Sequence, residues 1–454
     1  MNKKIDLING KITDSLVALA IPIMGTSFIQ MAYNMIDMIW IGRMGSLAVA
    51  AVGTAGFFNW LGQSLMILSK SGAEISISQS YGKNNIKDAQ NYTKSAIQLT
   101  IIFAVFYMFF LIIFKSSLIG FFKLNSPNVI NMAETYLFVI ALGMVFNFIN
   151  PVLTGIFNGS GDSKIPFTIN TVGLIFNIVL DPLLIFGLGP IPSLGVFGAA
   201  LATILSQLSV TILFLIHIKR QNSYLFKINI ISKLDLAYSK KIIKLSLPVA
   251  LQNGLFCSFS MMIGRIIAFH GDTAIAVQKV GSQIESISWM TAGGFSTAIS
   301  AFIGQNYGAK QYNRIIEGYK VAIKLVSIIG IFATALLVLG AEPIFKFFIN
   351  EPEAVSMGIV YLQILGVSQL FMCIEITTTG AFNGLGKTLL PSLISIILTG
   401  LRVPFAYLLS NPNFFGLNGV WWTISITSIL KGLVLISLFT ILILKNKKFN
   451  HELI

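Results

Sequence analysis

The chain is 454 residues long, 55% apolar and only 11% charged, with a formal net charge of +14 at pH 7. That balance excludes both a water-soluble globular body and a disordered chain, and it fits a protein whose solvent is largely lipid. The surplus of Lys and Arg would suit nucleic acid, but the basic residues are sorted by loop rather than gathered in one patch, which excludes that partner and marks membrane topology.

About 20 helical residues cross the hydrocarbon core, and twelve apolar stretches of that length are predicted. In chain order they cover about residues 15–39, 47–68, 95–114, 133–155, 165–186, 194–217, 243–269, 281–303, 321–339, 358–381, 390–409 and 417–444. The fold class expected is therefore all-α and integral to the membrane. The apolar run after the opening Met-Asn-Lys-Lys is span-length and lacks a small-residue cleavage pattern, so it reads as the first span and not as a signal peptide.

Lys3, Lys4 and Lys11 precede span 1; Lys83, Lys87 and Lys94 lie between spans 2 and 3; seven basic residues from Lys219 to Lys244 fill the loop after span 6. Lys310, Arg314 and Lys320 follow span 8, and Lys445, Lys447 and Lys448 come after span 12. By the positive-inside rule those segments and both termini are cytoplasmic, in a multi-pass protein of the cell membrane. Residues 219–244 form the one long polar connection, with a surface helix expected about 234–242. Cys257 and Cys373 both fall within spans, so neither a disulfide framework nor a metal site of cysteines is indicated.

Shifted by 226 residues, the chain lands on itself. Pro22 falls on Pro248, Gly45 on Gly271, Gln79 on Gln305, Tyr81 on Tyr307, Gly82 on Gly308 and Lys94 on Lys320. One deleted residue later, Thr154-Gly155-Ile156-Phe157-Asn158-Gly159-Ser160-Gly161 lies over Thr379-Gly380-Ala381-Phe382-Asn383-Gly384-Leu385-Gly386. Two homologous lobes follow, residues 1–225 and 226–454, each of six spans. An even number of spans per half makes the repeats parallel, and a central cleft between them is the expected substrate path. The paired Asn-Gly-X-Gly tracts read as tight turns, where glycine allows positive φ.

Ionisable groups at membrane depth are costly and therefore mark function. Asp37 in span 1 lies one helical turn beyond Tyr33 and Asn34, and its repeat partner is Ile263. Asn177 and Asp181 in span 5 are four apart, so they share a helix face and can converge on one ion or proton. Pro182 follows, where a kink could free backbone carbonyls as further ligands. In the second half Glu285 and Glu375 stand where the first half has Asn59 and Asn150, with Arg402 and Arg265 available to neutralise them. Lys70 and Glu74 read as an intrahelical pair, and Lys431 as a side chain snorkelling from a span end. No Gly-X-X-X-X-Gly-Lys-Ser/Thr loop occurs, so the energy source expected is an ion gradient and no cofactor is expected beyond the coupling ion, Na⁺ or H⁺.

The runs Asn34-Met35-Ile36-Asp37-Met38-Ile39-Trp40-Ile41-Gly42-Arg43-Met44-Gly45, Asn158-Gly159-Ser160-Gly161-Asp162, Asn177-Ile178-Val179-Leu180-Asp181-Pro182, Gly198-Ala199-Ala200-Leu201-Ala202-Thr203 and Gly304-Gln305-Asn306-Tyr307-Gly308-Ala309 resemble, in order and spacing, the multidrug and toxic compound extrusion (MATE) transporters. The resemblance implies a monomeric antiporter, not an enzyme, that exports organic, often cationic, small molecules through the lipid bilayer against Na⁺ or H⁺, its lobes rocking between two states. It assigns cation coupling, including a Na⁺ site, to Asp37, Asn177 and Asp181, with Thr203. Substrate contact is expected at Glu285, Glu375, Asn150, Asn34 and Arg402. Some relatives place a coupling carboxylate in span 7, where this chain has no acid. The rival readings are a flippase of lipid-linked saccharides, disfavoured because anionic pyrophosphate needs deep Arg and Lys, and a membrane-embedded enzyme, disfavoured by the lack of a paired catalytic constellation.

Overall fold

The structure, a computed structural model, describes residues 5–124, 126–187, 192–221, 223–349 and 351–444. Lys3, Lys4, Lys445, Lys447 and Lys448 lie outside the described residues. Within them every regular element is helical. The helices are α1 (Ile12–Gly42), α2 (Ser46–Gly82), α3 (Ile86–Gly120), α4 (Pro127–Leu142), α5 (Met144–Gly159), α6 (Lys164–Phe186), α7 (Gly195–Gln221), α8 (Leu236–Ala268), α9 (Asp272–Gly308), α10 (Tyr312–Leu339), α11 (Ala341–Lys346), α12 (Pro352–Gly384), α13 (Leu389–Leu409) and α14 (Leu417–Phe439). Side chains such as Phe106, Phe109 and Ile113 on α3 and Ile328 and Phe332 on α10 are large, apolar and exposed, a surface that suits lipid and not water.

Among the described residues nine helices are long and apolar enough to cross a membrane, and α4 with α5 makes a tenth as a pair bent by 50°. The break falls at Gly143, where a Cβ would meet the Ile204 side chain at 2.4 Å, so α7 packs into the notch that the missing side chain leaves. The expected spans 2 and 8 are α2 and α9, which fall short of that apolarity. They carry buried serines, several of which bond to their own helix: Ser69, Ser78 and Ser80 of α2 donate to the carbonyls of Met66, Ile75 and Ser76, and Ser286 of α9 to that of Gln283. α6 continues through Pro182 as one helix.

The chain forms two compact units. One is Gly25–Ala250; the other combines Ile5–Met24 with the chain from Leu251 onward. The cut therefore differs at both ends from a simple division at the repeat boundary, for reasons visible in hydrogen bonds. In the amino unit, Gln98 Nε2 donates to the carbonyls of Ile230 (2.8 Å) and Ser232 (2.7 Å), and Tyr238 Oη donates to Asp88 (2.8 Å), tying the inter-repeat connection onto α3. The surface helix expected about 234–242 is not separate, because α8 runs unbroken from Leu236. In the carboxyl unit, the Leu7 carbonyl accepts from Asn306 Nδ2 (3.0 Å) and Arg314 Nε (3.2 Å), and Arg314 also donates to the Gly10 carbonyl.

The repeated glycine tracts have two uses. Gly161 and Gly386 turn the chain at φ of 87° and 75°, conformations that favour glycine. Gly155 and Gly159, and their partners Gly380 and Gly384, are helical and sit four apart against a neighbouring helix. A Cβ on Gly159 would lie 2.7 Å from the Glu74 carbonyl oxygen of α2, and one on Gly380 would lie 2.2 Å from the Ser296 carbonyl oxygen of α9. Small residues at this spacing let membrane helices approach backbone to backbone. Gly380→Ala should force α9 and α12 apart and cost about 1–3 kcal/mol, read as a lower unfolding midpoint in detergent. Gly293→Ala, whose Cβ would meet nothing within 4 Å, should leave the midpoint unchanged or raise it; equal losses in both variants would contradict the packing argument.

Candidate functional site

Each unit holds one polar centre. In the amino unit, α1, α6 and α7 bring together Asp37, Asn177, Asp181 and Thr203, the four residues expected for cation coupling. The Asp37 carboxyl lies against Asp181, Asn177 and Thr203. Asn177 Nδ2 donates to Asp181 Oδ1 at 3.1 Å, and Thr203 Oγ1 reaches Asp37 Oδ2 at 3.5 Å while donating to the Ala199 carbonyl at 3.1 Å. Asn177 and Asp181 are fully enclosed, as the four-residue spacing on α6 requires when that face turns inward.

What distinguishes this centre is what stays unsatisfied. Asp37 Oδ1, Asn177 Oδ1 and Asp181 Oδ2 are buried and receive no hydrogen bond, as are Tyr33 Oη and Ser206 Oγ. Tyr33 lies beside Ser206, with Asp37 and Asp181 close by. Buried polar atoms are ordinarily paired, and each orphan costs about 1–3 kcal/mol. Two carboxylates about 4 Å apart repel by about 4 kcal/mol at an effective dielectric of 20. A counter-charge relieves both costs, and an all-oxygen donor set suits a hard cation or a shared proton. Among the described residues no group of three or more His, Cys, Asp or Glu side chains gathers. Tyr33 and Ser206 were not singled out from sequence; Ser206 lies four residues before Val210 on the buried face of α7 that also carries Thr203, and that spacing was the available signal.

In the carboxyl unit a cavity of about 560 Å³ is lined by Ile263, Glu285, Tyr361, Glu375, Arg402 and Lys431 among others, within the size range of small-molecule sites. Tyr361 donates its hydroxyl to Glu285, and Gln369 Nε2 approaches the same carboxylate at 3.4 Å. Lys431 Nζ pairs with Glu375 Oε1 at 2.9 Å, both side chains only 8% exposed, and Ser395 donates to that carboxylate at 3.3 Å. Arg402 Nε donates to Thr427 Oγ1 at 2.7 Å and Nη2 to Ser428 Oγ at 2.8 Å.

Several expectations are corrected here. Lys431 does not snorkel: it is buried in mid-α14, and it, not Arg402 or Arg265, is the partner of Glu375. Arg265 is exposed. Lys70 and Glu74 do not pair; a Gly155 Cβ would contact both side chains, yet no ion pair within 4 Å joins them. Asn150 does not join Glu285, Glu375 and Arg402. It lies in the amino unit with its amide saturated, donating to Gln207 O and Oε1 (2.8 Å each) and accepting from Thr211 (2.7 Å). Asn34 is exposed on α1. The two cysteines are free thiols.

A bundle of apolar spans that keeps polar centres enclosed at depth, in each of two repeats, has the build of a membrane transporter. The family profile described as MatE matches residues 22–183 and 245–408, one block in each repeat, and the chain belongs to that family of transporters, which are not enzymes. A relative in Thermotoga maritima, described as a probable multidrug resistance protein NorM, is 29% identical over 417 residues, covering 90% of this chain and 88% of its own. A relative in Shewanella oneidensis described as an FAD transporter is 26% identical, covering 89% of each chain. A crystal structure of MATE in the bent conformation superposes with a TM-score of 0.91 at 24% identity, over 99% of both chains, and is similar in fold.

Proposed function

We propose that this protein exports organic small molecules from the cell by antiport against Na⁺ or H⁺. The observation that carries the coupling is the set of buried, donor-less oxygens on Asp37, Asn177 and Asp181, side chains from two helices that a cation or a proton would draw together. Ion and cargo must favour different conformations for the gradient to do work; Asp37 of α1 and Asn177 and Asp181 of α6 would hold the ion, and its charge would offset the repulsion of the two carboxylates in the state that keeps those helices together. The carboxyl-unit cavity is the proposed cargo site. Glu285, which accepts from Tyr361 and Gln369 and has no ion-pair partner among the described residues, is the carboxylate there that meets a cationic centre. The sorting of basic residues among the loops supports cytoplasmic termini. The description of the T. maritima relative supports a drug-like cargo, and that of the S. oneidensis relative supports a large organic one.

Purified protein in liposomes should drive a fluorescent cationic dye across the bilayer when a Na⁺ gradient or a pH gradient is imposed, and not when both are dissipated. Dye movement that needs neither gradient would overturn the antiport reading. The gradient that works identifies the coupling ion.

A further inference from the structure

The two polar centres are the same place in the two repeats. The shift that puts Asp37 on Ile263 puts Tyr33 on Phe259, and the register of Pro166 on Pro391 puts Asn177 on Arg402 and Asp181 on Ala406. Packing fixes the register of the last spans: a Cβ on Gly198 would lie 2.3 Å from the Leu184 carbonyl oxygen, and one on Gly419 would lie 2.2 Å from that of Leu409. Ser206 then corresponds to Thr427, and Gln207 to Ser428. Ile263, Phe259 and Arg402 all line the carboxyl-unit cavity. Where the first repeat offers two carboxylates and an amide, the second offers Ile263, Ala406 and a guanidinium. At these positions the second repeat has lost both carboxylates and gained one cation, in a cavity that Glu285, Glu375 and Lys431 also line.

Arg402 is only 8% exposed, and its hydrogen bonds go to neutral hydroxyls. None of the three described ion pairs includes it. Glu375, the acid in the same cavity that could have served, is taken by Lys431 at 2.9 Å. Glu285 is held by Tyr361 and Gln369. Glu375 and Glu285 act on Arg402 through space, but neither carboxylate bonds to it, and the planar fork of a guanidinium is shaped for a bound carboxylate or phosphate. Phe256, Phe259 and Trp289 supply an apolar wall to the same space.

We propose that this cavity recognises an anionic group, a carboxylate or phosphate, of an organic ligand through Arg402. The proposal rests on the exporter reading only in calling that ligand cargo. A cationic centre elsewhere on the same ligand meets Glu285, so the cavity suits compounds that carry a negative group with or without a positive one.

The test is equilibrium binding of a fluorescent aryl carboxylate and its uncharged amide to the full-length protein in nanodiscs of neutral phosphatidylcholine. The carboxylate should bind at least about tenfold more tightly than the amide, the scale of a charge-assisted hydrogen bond. Arg402→Gln should erase that preference. Thr427→Ala with Ser428→Ala, which removes the hydroxyl acceptors and keeps the charge, should preserve it. Equal binding of carboxylate and amide by the wild type, a comparison that needs no variant, overturns the proposal, as does a preference that survives Arg402→Gln. Nanodiscs containing phosphatidylglycerol separate the sources: competition with the carboxylate assigns the anion to a lipid headgroup, and no competition assigns it to a soluble cargo. Gradient-driven dye export without a carboxylate preference would sink this proposal alone, whereas a carboxylate preference without gradient-driven export would sink the exporter reading and leave the anion site standing.

Discussion

Asp37→Asn should reduce gradient-driven export about 5- to 150-fold, the span of a coupling free energy of about 1–3 kcal/mol. Asparagine keeps the size of the side chain and brings its own donor. It would satisfy one of the orphaned oxygens and remove the charge that calls for a cation, so ion occupancy would no longer bias α1 against α6. Asp181→Asn should do the same through the same ion. Because the two carboxylates act on one ligand, the double variant should be no worse than the more damaged single. Binding of dye in the absence of any gradient should survive in all three, since the carboxyl-unit cavity is untouched. Export at the wild-type rate in Asp37→Asn would remove the residue from the mechanism.

The second large effect is on stability. Lys431→Met leaves Glu375 as a buried carboxylate that still accepts from Ser395 at 3.3 Å, and breaking a buried ion pair from one side costs about 3–5 kcal/mol. Arg402 donates to Thr427 and Ser428 and makes no ion pair with Glu375. Glu375→Gln together with Lys431→Met removes both charges and should restore most of the loss. Unfolding midpoints in detergent should therefore rank wild type above the double variant, and the double variant above Lys431→Met. A double variant as unstable as the single would mean that the pair does not act as a unit.

The sequence made some of this legible and hid the rest for physical reasons. Lipid is an unforgiving solvent, so apolar length revealed most spans, and the shift of 226 residues revealed the repeats. α2 and α9 reach the same buried state with serines that bond to their own helix, which no apolarity measure registers. Asp37, Asn177 and Asp181 were visible because carboxylates are rare at depth and because four residues make a helix face. Lys431 was misread because a lysine in an apolar run looks the same whether it reaches for water or for a glutamate on another helix; only tertiary placement of α12 against α14 decides. The break at Gly143 depends on Ile204 of a helix distant in sequence. Tyr361 stands in the repeat register of Tyr136, and Tyr136 lies near Asp37 and Asp181, so comparison of the halves at tyrosine as well as at acids would have found it. The exchange of Asn177 for Arg402 between the repeats was legible as an alignment, but its meaning required the cavity.

On the proposed function, an ion held by the oxygens of Asp37, Asn177 and Asp181 disfavours the state that binds cargo in the carboxyl-unit cavity. Linkage makes that directly measurable as the dependence of dye affinity on the coupling ion, at equilibrium, in wild type and in Asp37→Asn. Titrating Na⁺ at fixed pH, and pH at fixed Na⁺, should weaken dye binding by the wild type about tenfold along one of the two axes and leave the affinity of Asp37→Asn flat along both. An ion dependence of the same size in Asp37→Asn would contradict the account.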